Sequence, residues 1–514
     1  MTTFKKNLLA TAVASGCAML AGGAFAQTAQ VGSIVLSADG LGEALIYPYY
    51  TARGDQKTFV SIVNTTTLGK VVKVRFREGK NSNDVLDFNL YLSPYDVWTG
   101  QVTREAGGSV LYTNDTSCTD PVKADWALNP SAGLYGQPFF PFDYQRVDSL
   151  AGRTGAAQDL DRTLEGYMEV ISMANVPEGN ALYNAIKHDP ATGRPANCSL
   201  VSGLTGSANV QAPTGGLFGG AAIIDLSATK TGGTGIGYGA TAYGGFARPG
   251  VIFSPSSANP NFGDHNATSA VITDGNNRVI QVQPTASGVL GAAQSFAMAN
   301  MAERIVGEYS VDTTNLTAHT TDWVVTMPAK HYFVNRATWL TTSGDPHGQV
   351  GPSPAGALAP FTAMWSAANL NACEQVLPTS TSREEDRETS RLGFSPQPPG
   401  ATPNSLCFES TVISFGKGTG ASGVLQSTNN LWYLGNHARN SNGWLEIAFN
   451  QAGQRLTGTA LGSFNPTGAA GPVTVFGLPV LGFKAAVFRV SSSPALPLNN
   501  YAEAQPLHAV RRVQ

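Results

Sequence analysis

The sequence predicts an all-β protein of antiparallel, immunoglobulin-like sandwich type, with one short helix and long loops rich in glycine and proline. Apolar and polar residues alternate with a period of two in several segments, which is the pattern of half-buried strands. The 514 residues include 57 glycines and 30 prolines, so turns are frequent. Charged residues make up 13%, about half of the roughly 25% found in an ordinary soluble domain, whereas 42% are hydrophobic and can form a large core.

The charge balance excludes two classes of protein. Lysine and arginine number 32 against 35 acidic residues, a net charge of −3. This chain is too neutral to bind nucleic acid through phosphate contacts. It is also too hydrophobic and too weakly charged for a disordered protein.

Residues 1–26 have the pattern of a secretory signal peptide. Lys5 and Lys6 precede an apolar stretch over residues 8–20, and Ala24 and Ala26 form a small-x-small cleavage site. No later run approaches the 18 or so apolar residues of a membrane helix, which predicts a mature chain without a transmembrane segment. We therefore expect an exported protein at the cell surface or outside the cell, with the periplasm as an alternative.

Five cysteines bear on this location. Cys17 lies in a stretch that loosely resembles a lipobox, but Ala14 stands where leucine is normal, which favours a chance cysteine over lipidation. The remaining cysteines form an even set, which in an exported chain predicts two disulfides: Cys118, Cys198, Cys373 and Cys407. Three pairings are open, and we expect the sequential one because it closes two local loops.

The clearest strands lie in the first hundred residues. Residues 71–77 alternate, with Val72, Val74 and Phe76 on one face and Lys73, Arg75 and Arg77 on the other. Residues 87–92 alternate in the same way, and residues 44–51, 58–64 and 97–103 are further expected strands. One helix is expected over residues 292–305, where apolar residues recur every three or four positions. We expect an N-terminal sandwich domain with a long insertion over residues 27–205. A second all-β domain over 206–514 would contain the helix and a Cys373–Cys407 loop.

No segment carries a catalytic or cofactor signature. The glycine-rich residues 233–239 lack the following helix of a dinucleotide loop, and the seven histidines are too scattered for a metal site. The acidic run over residues 384–388 is interleaved with arginine, as on a solvated surface. We therefore predict no catalytic residue, no metal and no cofactor.

Two residue groups invite a binding role. Lys73, Arg75, Arg77 and Lys80 form a basic stripe that could meet an anionic polymer, although Glu78, Asp84 and Asp87 can neutralise it. Aromatic residues cluster at 47–50, at 139–144 and at 432–433. Such rings can stack on sugars, but they more commonly fill the core of a sandwich.

Three segments resemble a set of uncharacterised exported cell-surface proteins of Gram-negative bacteria: residues 59–66 continuing through 85–98, residues 321–328 and residues 477–483. The resemblance implies a surface location and an all-β build. It implies no activity and transfers no functional residue.

The expected function is that of a secreted or surface-attached structural or adhesive β-protein without catalytic activity. The alternative is a secreted glycan-binding protein or hydrolase. The short apolar segment Val31, Ile34, Val35 and Leu36 is expected either to close the first sandwich or to pair with the edge of a second copy. Expected partners are therefore the protein itself or a cell-surface polymer.

Overall fold

A computed structural model describes most of the chain after the predicted signal segment. The described residues are 32–129, 134–140, 160–225, 235–312, 317–334, 356–366, 369–389, 394–395, 404–416, 420–433, 441–461, 470–490 and 500–514. Strands dominate these residues and helices are few, so the prediction of an all-β protein is confirmed.

Helices and turns of helix are short. The α-helices are α1 (Ala181–Ile186), α2 (Gly288–Asn300) and α3 (His331–Val334), and 3-10 turns cover Lys123–Asp125, Leu160–Leu164 and Cys198–Val201. None of the helices in the described part of the chain is long and apolar enough to cross a membrane.

The strands that precede α2 are β1 (Ser33–Leu36), β2 (Ala44–Thr51), β3 (Gln56–Asn64), β4 (Gly69–Glu78), β5 (Asp84–Leu92), β6 (Val97–Glu105), β7 (Gly108–Thr113), β8 (Cys118–Asp120), β9 (Ala127–Asn129), β10 (Leu134–Pro138), β11 (Glu165–Val176), β12 (His188–Asp189), β13 (Arg194–Pro195), β14 (Leu217–Asp225), β15 (Gly235–Gly239), β16 (Thr241–Gly244), β17 (Ser269–Thr273) and β18 (Val279–Pro284).

The strands that follow α2 are β19 (Met301–Ala302), β20 (Arg304–Asp312), β21 (Thr317–Thr326), β22 (Glu374–Gln375), β23 (Leu377–Ser382), β24 (Arg387–Thr389), β25 (Phe394–Ser395), β26 (Ser405–Leu406), β27 (Ser410–Phe415), β28 (Asn430–Tyr433), β29 (Asn442–Ala448), β30 (Arg455–Ala460), β31 (Gly471–Phe476), β32 (Leu478–Pro479), β33 (Leu481–Val490), β34 (Asn500–Pro506) and β35 (His508–Val510).

Three large sheets contain most of these strands. Sheet I has the order β31-β30-β18-β17-β1-β16-β2-β11-β4-β5-β8, and sheet II has the order β15-β14-β3-β6-β7-β10-β9. Sheet III has the order β24-β23-β29-β20-β21-β27-β28-β25, with β33, β34 and β35 paired beside it. The pairings are antiparallel except for β1 with β17 and β27 with β28.

Sheets I and II pack face to face as a sandwich. The alternating side chains of β4 and β11 supply one wall of the core, with Val72, Val74, Phe76 and Met168 all fully buried. Sheet II supplies the other wall, including Trp98. Burial of each such side chain stabilises the fold by roughly 1.5–3 kcal/mol relative to exposure. The opposite face of sheet I packs against α2, α3 and sheet III.

The helix prediction has the right place and the wrong limits. α2 begins at Gly288, directly after Ser287, and ends at Asn300, five residues before the expected end. Asn300 donates a hydrogen bond to the carbonyl of Phe296 and accepts one from the Tyr243 hydroxyl, which fixes this last turn. The next residue begins β19, because sheet pairing takes over the remaining part of the apolar pattern.

The domain division at residues 205 and 206 stays a prediction. Strands from both sides of that position nevertheless share sheets. β14 pairs with β3 in sheet II, and β16 pairs with β2 in sheet I. β30 and β31, from near the end of the chain, extend sheet I through β18.

Strand β1 lies inside sheet I. It pairs antiparallel with β16 on one side and parallel with β17 on the other, with Ile34 opposite Ala270 and Val35 opposite Gly244. Both of its edges are therefore paired within one chain, which fits the first of the two alternatives, and pairing with a second copy stays a prediction. Val31 lies outside the described residues.

Candidate functional site

The outer face of sheet II carries exposed apolar side chains and two hollows. Alternate residues of β3 and β6 point into the sandwich core, as Ile62 and Trp98 do. The intervening residues face outward, so that Phe59 is 37% exposed and Val97 50% exposed. Three of the ten large hydrophobic side chains exposed in the described residues lie on this one face: Phe59, Val97 and Phe218.

One row of side chains crosses this face. The strand register places Ala222, Phe59, Gln101, Tyr112 and Gly136 opposite one another on five successive strands. Two aromatic residues therefore flank a carboxamide, each one strand away from it, and neighbouring strands are roughly 4.8 Å apart. The residues at the two ends of the row, Ala222 and Gly136, are small and leave the surface beside the larger side chains uncovered.

Gly136 explains the orientation of the tyrosine. A side chain at this position would overlap the ring of Tyr112, which extends across the glycine from the neighbouring strand. The ring can therefore lie along the sheet only because Gly136 has no Cβ.

Two adjoining hollows follow this row. Their volumes are about 520 Å³ and about 250 Å³, and they share Gln101, Tyr112 and Leu134. We call their combined surface the sheet II groove. Its aromatic part contains Phe59 and Tyr112, and its other end is polar, lined by Asp55, Lys57, Arg104 and Glu105.

The basic stripe predicted on β4 is buried rather than exposed. Lys73, Arg75 and Arg77 are each 0% exposed, because the face of sheet I that carries them is covered. The expectation that this stripe meets a polymer at the surface is therefore wrong for these three residues. Lys80, beyond the strand, lies 5.7 Å from the ring centre of Phe408.

Three carboxylates balance the buried cations, and we call these six residues the buried charge cluster. Arg75 Nε lies 3.1 Å from Asp87, Arg77 Nη1 lies 2.5 Å from Asp84, and Arg77 Nε lies 2.9 Å from Glu169. Asp84 and Asp87 thus neutralise the stripe as the sequence suggests. Glu78 forms its ion pair with Arg162 instead, at 2.7 Å.

A covering segment, residues 253–261, closes the cluster. Lys73 Nζ donates to the carbonyls of Ser254, Pro255 and Ser257 at 2.8, 2.7 and 3.2 Å. Arg75 Nη2 donates to the carbonyl of Ala258 at 3.1 Å. The cations thereby satisfy backbone carbonyls of a loop that would otherwise cost free energy to bury.

The start of helix α3 and the residues just before α3 and β27 continue this polar layer toward sheet III. His331 Nδ1 lies 3.6 Å from Glu409 Oε2, and both side chains are buried. Burial raises the pKa of Glu409 to about 8, against the opposing charge of Lys330, and burial lowers the pKa of Lys330 to about 8. Because these side chains are buried, we assign them a structural role.

Glu165 joins sheets I and III in a similar way. Its carboxylate accepts hydrogen bonds from the Tyr49 hydroxyl at 2.8 Å, Arg53 Nε at 3.0 Å and the Thr428 amide at 3.0 Å. Burial opposes its ionisation, but Arg53 and these hydrogen bonds hold the pKa of Glu165 below its ordinary value. Glu165, the first residue of β11, therefore fixes the loop before β28.

The four cysteines form two disulfides, Cys118–Cys198 and Cys373–Cys407. This is the sequential pairing that the sequence favours. The first bond attaches β8, the edge strand of sheet I, to the 3-10 turn at Cys198–Val201. The second joins the chain just before β22 to the end of β26.

The other sequence features have structural places. Gly235–Gly239 form β15, the edge strand of sheet II, and residues 233–234 lie outside the described residues. The arginine–acid run forms the turn between β23 and β24, where Arg383 and Glu384 pair in solvent. Among the described residues, no group of three histidine, cysteine or acidic side chains could hold a metal ion.

The aromatic clusters mostly fill cores. Tyr47, Tyr49 and Tyr50 are buried, as are Trp432 and Tyr433, whereas residues 141–144 lie outside the described residues. The rings that do face the groove, Phe59 and Tyr112, are single aromatics within alternating strands. The only sequence signal for these two rings is that each lies on the polar side of an alternating strand. The sequence does not show that they form one row, because that depends on the register between strands.

Comparison with known proteins finds no match for this chain, neither to a family model, nor to a curated protein, nor to a solved structure.

Proposed function

We propose that the protein is an exported, adhesive binding protein that holds glycan chains in the sheet II groove and carries out no chemistry on them. The observation that carries this proposal is the row in which Phe59 and Tyr112 flank Gln101. Aromatic rings pack against the apolar faces of pyranose rings, and a carboxamide both donates and accepts hydrogen bonds to hydroxyl groups. This combination suits a neutral sugar chain lying across the strands.

Several features favour a glycan over other partners. The aromatic part of the groove is lined by neutral side chains, including Thr99, Thr113 and Asn114, which suits hydroxyl groups better than an ionic ligand. The groove is open and shallow, as a long chain requires. Two disulfides fit an oxidising, extracytoplasmic location, where surface polysaccharides occur.

The test is retention on an array of glycans built from neutral hexoses, N-acetylhexosamines and uronic acids. We expect Phe59→Ala and Tyr112→Ala each to weaken retention of the wild-type ligand by about tenfold, which corresponds to about 1.4 kcal/mol. Trp444→Ala is the matched control, because Trp444 is a 39% exposed aromatic on a strand of sheet III. Its retention should equal that of the wild type.

Two results would overturn the proposal. One is a wild-type protein that is retained by no glycan on the array. The other is equal loss of retention in Trp444→Ala and in the groove variants, which would mean that a general surface property is being measured.

A hydrolase is the second candidate, because Asp55 and Glu105 line the polar end of the same groove. Paired carboxylates beside a sugar-binding surface are the usual arrangement of a glycosidase. Release of reducing sugars by the wild type, lost in Asp55→Asn or Glu105→Gln, would favour this candidate over simple adhesion.

A further inference from the structure

Lys70 is a fully buried lysine near the start of β4, and its side chain meets the carboxamide of Asn175 on β11. Nζ of Lys70 lies 3.0 Å from Oδ1 of Asn175 and 2.9 Å from the carbonyl oxygen of Thr214. The two residues are direct partners in the antiparallel ladder between β4 and β11, which are adjacent central strands of sheet I. The strand pairing therefore places the amine of Lys70 beside the carboxamide of Asn175.

The carboxamide is held from its other side. Nδ2 of Asn175 donates to the carbonyl of Ala212 at 3.0 Å and to Oγ1 of Thr214 at 2.9 Å. The Asn175 backbone also exchanges two hydrogen bonds with Gln211. Because Nζ is 3.0 Å from Oδ1 and a C=O bond is about 1.23 Å long, Nζ and Cγ are no more than roughly 4.2 Å apart.

We propose that Lys70 and Asn175 form an intramolecular isopeptide bond. The neutral amine of Lys70 attacks Cγ of Asn175, and a bond forms between Nζ and Cγ. The bond between Cγ and Nδ2 then breaks, and one proton from Nζ passes to the departing nitrogen, which leaves as ammonia. The product is a secondary amide, and the step needs no oxidant, reductant or other reactant.

The surroundings favour the neutral amine. Burial lowers the pKa of Lys70 to about 8, and the charge of Glu43 opposes this shift. Burial likewise raises the pKa of Glu43, a half-buried residue just before β2.

Lys73 supplies a contrast within the same strand. It is as fully buried as Lys70, but its Nζ donates to the three backbone carbonyls of the covering segment. Burial lowers its pKa to about 8 as well. The proposal therefore predicts a reaction at Lys70 and none at Lys73, although their burial and basicity are alike.

The experiment is intact mass spectrometry of the purified, fully reduced and denatured protein, before and after ageing at pH 9. We expect the wild type to be lighter than the mass calculated for the chain without its predicted signal peptide by about 17 Da, the mass of ammonia. Tryptic digestion should yield one branched peptide that joins the segments around Lys70 and Asn175, together with normal cleavage after Lys73. Lys70→Arg and Asn175→Ala should have their full sequence mass.

A wild-type protein that keeps its full sequence mass after ageing, with free Lys70 and Asn175 peptides, overturns the proposal even if a variant fails to fold. A mass loss that persists in Lys70→Arg also overturns it, since ammonia would then come from elsewhere. None of these readings depends on glycan binding.

Discussion

The covered face of sheet I and the outer face of sheet II carry similar sequence patterns and have opposite environments. β4 alternates apolar residues with Lys73, Arg75 and Arg77, and all ten of its residues are buried. β3 alternates in the same way, but Lys57, Phe59, Ser61 and Val63 remain at least partly exposed. The charged face is thus inside the protein, whereas a face with exposed aromatic and aliphatic residues is outside.

The difference lies in what covers each face. The cations of β4 bind carbonyls of the covering segment and three carboxylates. These contacts offset the free energy that the cations lose when they leave water. The outer face of sheet II has a groove instead of a cover in the described residues. We infer that the first face stabilises the fold and that the second face binds partners, and each can be tested by substitution.

The largest effect is expected at Glu169, a fully buried member of the buried charge cluster. Glu169→Ala leaves three cations facing two carboxylates, and the three cations are fully buried. Removing one partner of a buried ion pair costs about 3–5 kcal/mol, because the remaining charge stays desolvated. Denaturant unfolding should therefore show a loss of this size in the free energy of unfolding.

Glu446→Ala is the matched control for this prediction. Glu446 pairs with Arg304 at 3.3 Å, but the two side chains are 24% and 40% exposed. Such a surface pair contributes about 0–1 kcal/mol. A loss below about 1 kcal/mol in Glu169→Ala, equal to that of the control, would contradict the stabilising role of the covered face.

An intermediate effect is expected from the proton on Glu409. The pKa of Glu409 is about 8 in the folded protein, whereas in the unfolded chain it is near 4.5. Between these values unfolding releases a proton, so rising pH lowers the stability of the folded state by up to about 1.4 kcal/mol per pH unit. Glu409→Gln cannot ionise in either state and should lose this slope.

The measurement is the free energy of unfolding of both proteins from pH 5 to pH 8. The stability of Glu409→Gln relative to wild type should rise steadily across this range. Lys330, whose pKa is lowered to about 8 from 10.5, begins to titrate in the folded protein above about pH 7, so the slope is read between pH 5 and pH 7. Asp87 also titrates within it, since burial raises its pKa to about 6, but it contributes equally to both proteins. Parallel curves would mean that Glu409 is ionised in the folded protein.

The two faces also differ in how far the sequence predicts them. Alternation alone placed the strands that became β3, β4, β5 and β6, since side-chain direction is a local property. Burial of Lys73 was not predictable in this way, because the carbonyls that it binds lie 181 to 184 residues further along the chain. A period of two assigns faces but does not say which face will be covered.

The groove was missed for a related reason. Phe59, Gln101, Tyr112 and Gly136 lie on four strands, and only the register of those strands brings them into one row. Sequence reasoning instead selected runs of consecutive aromatics, such as residues 47–50, which the structure buries. Consecutive aromatics in a strand point to both of its faces, so that in a doubly covered strand all of them enter a core.

The smallest stability effect is expected at Phe59, where it is most informative. Phe59→Ala removes a ring that is already 37% exposed, so the free energy of unfolding should fall by less than about 1 kcal/mol. Ile62→Ala, on the core side of the same strand, should cost about 2–5 kcal/mol. Glycan retention should respond in the opposite order, with a loss for Phe59→Ala and none for folded Ile62→Ala. If Phe59→Ala proves as destabilising as Ile62→Ala, the ring belongs to the core and the outer face of sheet II is not a separate binding surface.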